Sequence, residues 1–516
     1  MLHPLVLIVV VAFLAYDAVG AYASVDGWTA VHVAGALIGA LGAVCMALAI
    51  AIHVIGRSID RTGSVKSVRT ADWFMSASRL LIGVIFIGAV FLLDWIGVVR
   101  AAIGDWVGVD EALASAPAIV AYGATWWIFY PIDRRLNEAV MLRALDMGRP
   151  IHAFPGRWRY TWEKLRFSLF AALAPLALIM LWGEAITMAA THWSFLPWPM
   201  DDDRSLAALA GLQLVGAAMV LVLSPLLLLT LWDTTALPDG ELRHRLEAMC
   251  QRHRVRTAGI RVWHTRGVIL NGAVIGMLPR LRFVLLTDAL IESLPSQQLD
   301  AVMAHEVAHV RRRHLIWLLG ALLGTLGLST WALSWALVLI MPDRESADAW
   351  WLNIADGVIL AVALGLTFYV FGFVSRAFER EADAFAVQDA SAAGEVDGES
   401  SGMVTPDAAD AMAGALDSVA RLNHIPQQKH SWRHGSIADR RRRIHALIGL
   451  PITALPAMRR ARMARIGVLA CLIAFAGTLA FDTYLWFQSA PDVNAAESER
   501  TARGDDSVYQ DAWHWE

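Results

Sequence analysis

The chain has 516 residues, of which 57% are hydrophobic and 17% charged, and its mean hydropathy is +0.49. That composition excludes an ordinary soluble globular protein and indicates a membrane protein. The formal net charge is −4 and the basic residues fall in patches between apolar segments, so nucleic acid is offered no broad basic face. Of Cys45, Cys250 and Cys471, the first and last lie inside apolar stretches, so neither a disulfide framework nor a Cys-rich metal site is indicated and any metal falls to His and carboxylates.

In chain order, nine stretches approach the roughly 20 apolar residues that a spanning helix needs. They run from Pro4 to Ala23, Ala30 to Ile55, Leu80 to Ile103, Ala116 to Ile132, Phe167 to Ala190, Leu206 to Trp232, Leu315 to Met341, Trp351 to Val374 and Ile466 to Phe487. The first ends in Ala21-Tyr22-Ala23, which is similar to a signal-cleavage site, but Met1-Leu2-His3-Pro4 lacks a positive start, so it reads as an uncleaved anchor.

Short-loop charge sets the orientation. Arg57, Arg61, Lys66, Arg69 and Arg79 follow the second span, and eight basic residues from Arg134 to Arg166, Arg149 among them, follow the fourth. The alternate loops carry Asp105, Asp110 and Glu111, then Asp201, Asp202 and Asp203, then Asp343 and Glu345. The basic loops are expected in the cytoplasm, which places both long polar regions there too. The intramembrane acids Asp94, Glu184, Asp356 and Asp482 are candidates for function by default, and Glu184 and Asp356 for a water-filled chamber.

The first polar region begins with a helical pattern from Glu241 to Cys250. Short strands are expected near Ile260 to Trp263, Val268 to Leu270 and Arg282 to Leu286, with Gly272, Gly276 and Pro279 as turn signals. A helix then starts after Pro295 and runs to the membrane at Leu315, with His314 and the adjoining arginines as interface anchors. Ser391 to Asp407 is Gly/Ser/acid-rich and reads as a loop.

That helix contains His305-Glu306-Val307-Ala308-His309. Positions i and i+4 project from one face, so the two imidazoles can share one zinc while Glu306 sits beside the water that the metal acidifies. A carboxylate there can take the water's proton and later deliver it to the leaving amine. Alone, the motif also fits two surface histidines on a charged helix. A catalytic zinc wants a third protein ligand. Beyond two membrane spans lies Ser375-Arg376-Ala377-Phe378-Glu379-Arg380-Glu381-Ala382-Asp383. Glu379 and Asp383 are again i and i+4, so one can ligate while the other supports an imidazole from behind. The bland reading is an amphipathic helix whose acids pair with Arg376 and Arg380.

With these motifs the chain resembles the gluzincin-type membrane zinc peptidases that include the type I CaaX prenyl proteases and the HtpX-like quality-control proteases. The resemblance covers roughly Pro238 to Leu447 and rests on HExxH, on SRxxExxAD and on the membrane hairpin between them. It implies Glu379 as the third zinc ligand and Asp383 as its support. It also implies Asn271, before Gly272-Ala273, at a substrate-binding edge strand. His434-Gly435-Ser436 with Arg440 looks like the family's HP-containing segment, which implies that His434 stabilises the tetrahedral intermediate with Arg440 behind the site. Gly435 departs from the usual Pro.

The expected fold class is a polytopic α-helical membrane protein of about nine spans with a cytoplasmic α+β zinc-metallopeptidase domain split by a transmembrane hairpin. The expected division is a membrane domain at 1–232, peptidase segments at 233–314 and 375–465 around a hairpin at 315–374, a last span at 466–487 and an acidic tail at 488–516. The resemblance implies one Zn2+ per chain, a peptide or protein substrate, contact with membrane lipid, and a multi-pass protein of an inner or plasma membrane acting in quality control or CaaX-type processing. The contrasting readings are an intramembrane protease, disfavoured because Leu237 to Gly240 precedes the motif, and a non-catalytic zinc-binding scaffold or transporter, disfavoured by the intact Glu306.

Overall fold

The computed structural model describes residues 4–21, 27–104, 106, 108–146, 153–193, 203–266, 269–341, 349–393, 402–423 and 425–489. Tyr22 and Ala23, the acids Asp105, Asp201, Asp202, Asp343 and Glu345, Arg149, Val268, residues 394–401 of the Gly/Ser/acid-rich stretch and all of the tail past Ser489 lie outside these residues.

Eight helices among the described residues are long and apolar enough to cross a membrane. The protein is a polytopic α-helical membrane protein, and the eight such helices among the described residues accord with the expected count of about nine. The difference is the first stretch, where helix α1 covers Pro4–Val19 and stops at 16 residues. The third span also shifts. Helix α3 covers Val65–Leu92, and a short helix α4 follows at Trp95–Ile103. Asp94 between them adopts a left-handed conformation (φ 51°), which breaks the run that hydropathy reads as continuous. Its carboxylate accepts a 2.6 Å hydrogen bond from Tyr16.

Helices α2 (Ala30–Thr62) and α3 meet at Gly63, which is left-handed (φ 59°) and donates to the Ile59 carbonyl, so most of the expected basic loop is helix ends. Arg79 belongs to α3, where its guanidinium lies over the rings of both Tyr122 and Trp126 and donates to Thr125. Helix α5 spans Val109–Asp146, and Arg135 near its end holds both oxygens of Asp60 on α2. The two basic segments therefore sit at the same end of the bundle. The fifth and sixth spans follow as α6 (Arg157–Lys164), a π-helical stretch (Leu165–Phe170), α7 (Ala171–Trp193) and α8 (Asp203–Leu231).

The chain then forms a four-stranded sheet in the order β1-β2-β4-β3. Strand β1 (Thr234–Ala236) pairs antiparallel with β2 (Gly259–Trp263), β2 parallel with β4 (Phe283–Thr287), and β4 antiparallel with β3 (Gly272–Ile275). Strand β3 begins at a glycine read above as a turn signal, and the strand expected around 268–270 is not formed at Ile269 and Leu270. A Cβ at Gly272 would meet Val302 at 3.1 Å, so glycine here is the residue that lets the strand lie close to a helix. Helix α9 (Glu241–Arg252) matches the expected helix, and α10 (Asp288–Ser293) follows β4. Trp263 at the end of β2 stacks on Trp232 beyond α8, with centroids 4.5 Å apart.

Helix α11 (Ser296–Arg311) ends before the membrane, and α12 (His314–Ile340) starts after Arg313 turns left-handed at φ 55°. His314 is not an interface anchor. It is 1% exposed and stacks flat on Phe378 at 4.4 Å. Helix α13 runs unbroken from Ala349 to Ala393. Helices α14 (Pro406–Leu422), α15 (Ile437–His445) and α16 (Pro456–Ser489) complete the order.

Contacts divide the chain into two compact units. The first comprises Met1–Arg313, Arg380–Ser431 and Gly435–Leu455; the second comprises His314–Glu379, Trp432–His434 and Pro456–Glu516, so the division falls inside α13. The second unit has a small core of Ala321, Val374, Ala377, Phe378, Ala464 and Val468.

Candidate metal centre

Helix α11 carries the first motif among side chains buried on most of its faces, with Leu299, Met303, Ala304, Val307 and Ala308 all inside. Its partners are β3, α9 and α14. Four residues apart, His305 and His309 bring their Nε2 atoms to 3.2 Å of one another. The ligand atoms of His305, His309 and Glu379 all lie within 4.8 Å of each other, the one such group found among the described residues. His305 and Glu379 are buried and His309 is partly so. Two imidazoles and one carboxylate are a donor set suited to catalytic zinc.

The other ring nitrogen of His305, Nδ1, faces the Asp383 carboxylate at 3.1 Å. Arg440 on α15 donates to both Asp383 oxygens, from Nε at 2.9 Å and from Nη2 at 2.6 Å. A carboxylate behind a ligand imidazole fixes the ring's tautomer and orientation. Of the two acids between which the sequence left the supporting position open, Asp383 is the one that faces His305 Nδ1.

His434 lies with Nδ1 2.9 Å from Glu379 Oε1. Its loop is closed by two hydrogen bonds between Ser431 and Gly435, and Ser436 then caps α15 by accepting from Asp439. Gly435 has φ 76°, which proline cannot adopt, so this loop could not take proline at 435 unchanged. Trp432, packed against Phe368 and Phe371 of α13, anchors the same loop, and Arg376 donates to its carbonyl.

Glu306 stands where α11 meets the edge strand, and a Cβ at Gly272 would come within 3.5 Å of its Cγ. Asn271, exposed, is fixed by its backbone, since its N–H donates to Thr287 Oγ1 and its carbonyl accepts from the Thr287 N–H.

Two supports were missed from sequence. The Asn423 side chain bonds both backbone groups of Leu270, at 2.9 and 2.8 Å, and thereby fixes the approach to β3. No local pattern marks this asparagine beyond its place at the end of α14. Asp288, after β4, accepts from the Thr265 hydroxyl and from the N–H groups of Thr265, Arg266 and Ala289. Burial pushes its carboxyl up, but these hydrogen bonds outweigh burial and hold it below the usual carboxylate range. An apolar cavity of about 730 Å³ between α2, α4 and α5 is lined by none of the triad residues, nor by Glu184 or Asp356.

Residues 236–418 match the model of peptidase family M48. Residues 236–418 are therefore similar to a family M48 peptidase domain. With eight apolar helices in the same chain, the protein is an integral-membrane metallopeptidase, as the resemblance implied. The match runs from the last residue of β1 into α14, with both motifs and the two apolar helices between them, and ends before His434 and Arg440. No curated protein matches the chain. Among solved structures, the crystal structure of S. mikatae Ste24p aligns with a TM-score of 0.40 and 14% identity, over 80% of this chain and 98% of that one.

Proposed function

We propose that the protein is a zinc-dependent endopeptidase whose metal is held by His305, His309 and Glu379. The observation that carries this reading is the convergence of those three ligand atoms from two helices, within a family M48 domain. Zinc bound there supplies Lewis acidity toward a substrate carbonyl and acidifies water.

The chain's own residues then have these roles. Glu306 takes the proton of the attacking water and passes it to the departing amine. Asp383, held by Arg440, keeps His305 in its ligating orientation. His434 steadies Glu379 through Nδ1 and, with Asn271, donates to the oxyanion that develops on the scissile carbonyl. Strand β3, at the sheet edge and next to Glu306, pairs with the substrate backbone, which makes selection depend on extended conformation more than on side-chain identity. Segments that are unfolded or adjacent to the membrane suit such a site, in quality control or CaaX-type processing, on the cytoplasmic side of an inner or plasma membrane as the loop charges suggest.

The test is zinc content and cleavage of an unfolded model protein by wild type, Glu306→Gln and Glu379→Ala. Expected are a zinc-loaded, active wild type, a zinc-loaded but inactive Glu306→Gln, and a metal-poor Glu379→Ala. A zinc-loaded wild type that cuts nothing would favour a scaffold or transporter. Wild type without zinc would end the proposal.

A further inference from the structure

The second unit carries a charged surface that peptide hydrolysis does not use. The first two turns of α16 hold Arg459, Arg460 and Arg462, all exposed, with no acidic residue in the first turn. Among the described residues no hydrogen bond or ion pair engages these three guanidinium groups. A cation in the first turn opposes the helix dipole, so the placement of Arg459 costs stability unless an anion is near.

The same face continues into the apolar segment. Arg459, Arg462, Ile466, Leu469 and Ile473 follow one another at spacings of three and four residues and form a single stripe. Ile466, Leu469 and Ile473 are 53%, 48% and 64% exposed. Ala461, Ala464 and Val468 form the opposite, packed face. At the α-helical rise Arg462 stands about 6 Å before Ile466. Guanidinium groups followed by exposed aliphatic side chains match a phospholipid with an anionic headgroup and an acyl chain.

We propose that Arg459, Arg460 and Arg462 bind the anionic headgroups of phospholipids where α16 enters the bilayer, and that this contact steadies Glu379. The route is short. Ala464 and Val468 pack in one cluster with Ala377 and Phe378, and the Arg465 guanidinium lies 5.3 Å from the Phe378 ring centroid. Phe378 directly precedes Glu379. The lipid contact stands independently of the peptidase reading, whereas its effect on turnover rests on it.

The test places the full-length protein in nanodiscs of phosphatidylcholine alone or with about one third phosphatidylglycerol. Native mass spectrometry counts retained lipid, and turnover is followed on an unfolded model protein. Each arginine near an anionic surface contributes about fivefold, so wild type should retain phosphatidylglycerol over phosphatidylcholine by about tenfold or more. The triple variant Arg459→Gln, Arg460→Gln, Arg462→Gln should lose that preference, and the triple lysine variant should keep it. Wild-type turnover should rise about fivefold in the anionic discs, while the glutamine variant turns over equally in both and matches wild type in phosphatidylcholine. Zinc content and monodispersity report whether the variants are folded.

Undiminished phosphatidylglycerol preference in the glutamine variant would overturn the site, as would a wild type with no lipid preference. Equal wild-type turnover in both discs would overturn the link to Glu379. A lipid preference without peptidase activity in any disc would support the site and sink the peptidase reading instead.

Discussion

Arg440 grips both oxygens of Asp383, and their side chains are only 11% and 6% exposed. A buried carboxylate stripped of such a partner is left uncompensated, and the cost of breaking a buried pair this way is about 3–5 kcal/mol. Arg440→Met should therefore lower thermal stability. Because Asp383 in turn faces His305, zinc affinity should also fall by about 10–100-fold, read by competition with a chromophoric chelator. Unchanged zinc affinity would mean that Asp383 does not orient the ligand.

Proline at 435, the residue the resemblance leads one to expect, should be harmful here. It cannot reach φ 76° and would lose the 2.8 Å hydrogen bond from Gly435 N–H to Ser431. Gly435→Pro should displace His434 and reduce kcat by about 10²-fold, the size of losing one oxyanion donor, with KM little changed. Steady-state kinetics beside His434→Ala checks this, and equal kcat for Gly435→Pro and wild type would remove His434 from the mechanism.

Gly272→Val tests the contact between β3 and α11. Its Cβ would already crowd Val302 at 3.1 Å, and the added methyls must push the strand from the helix that bears Glu306. Overpacking of this kind costs about 1–3 kcal/mol. Stability by denaturant titration should drop, and kcat/KM for an extended peptide should drop more than the stability loss explains.

Asp288 sets an acid limit on the sheet. Its folded-state pKa is depressed, so the stability it adds is present above the unfolded value of about 3.9 and is lost as pH falls through the folded value. In metal-free protein, the stability difference between wild type and Asp288→Asn should be constant near neutrality and shrink below about pH 4. A difference independent of pH across that range would contradict the assignment.

Legibility from sequence followed the range of the interaction. The HExxH pair was readable because i and i+4 lie on one helical face, whatever that helix packs against. The spans were readable from apolar length, but the stop at Leu92 was not, since Asp94 breaks the helix inside a run whose hydropathy continues. Gly272 was misread for a related reason. A glycine signals a turn locally, whereas here its use is set by Val302, thirty residues on. Asn423 was invisible because its two hydrogen bonds go to the backbone of Leu270, 153 residues away. Arg440 was placed only through the family pattern, and its grip on Asp383 depends on where α15 docks.

Helix α11 and the ligand-bearing part of α13 are joined along the chain through α12 and the apolar first half of α13. The two imidazoles and the carboxylate of the proposed site thus stand at the two ends of a long apolar stretch of chain, and closing that stretch costs entropy that metal binding helps to meet. The proposed zinc site therefore cannot be complete on a nascent chain until both of these apolar helices have been made.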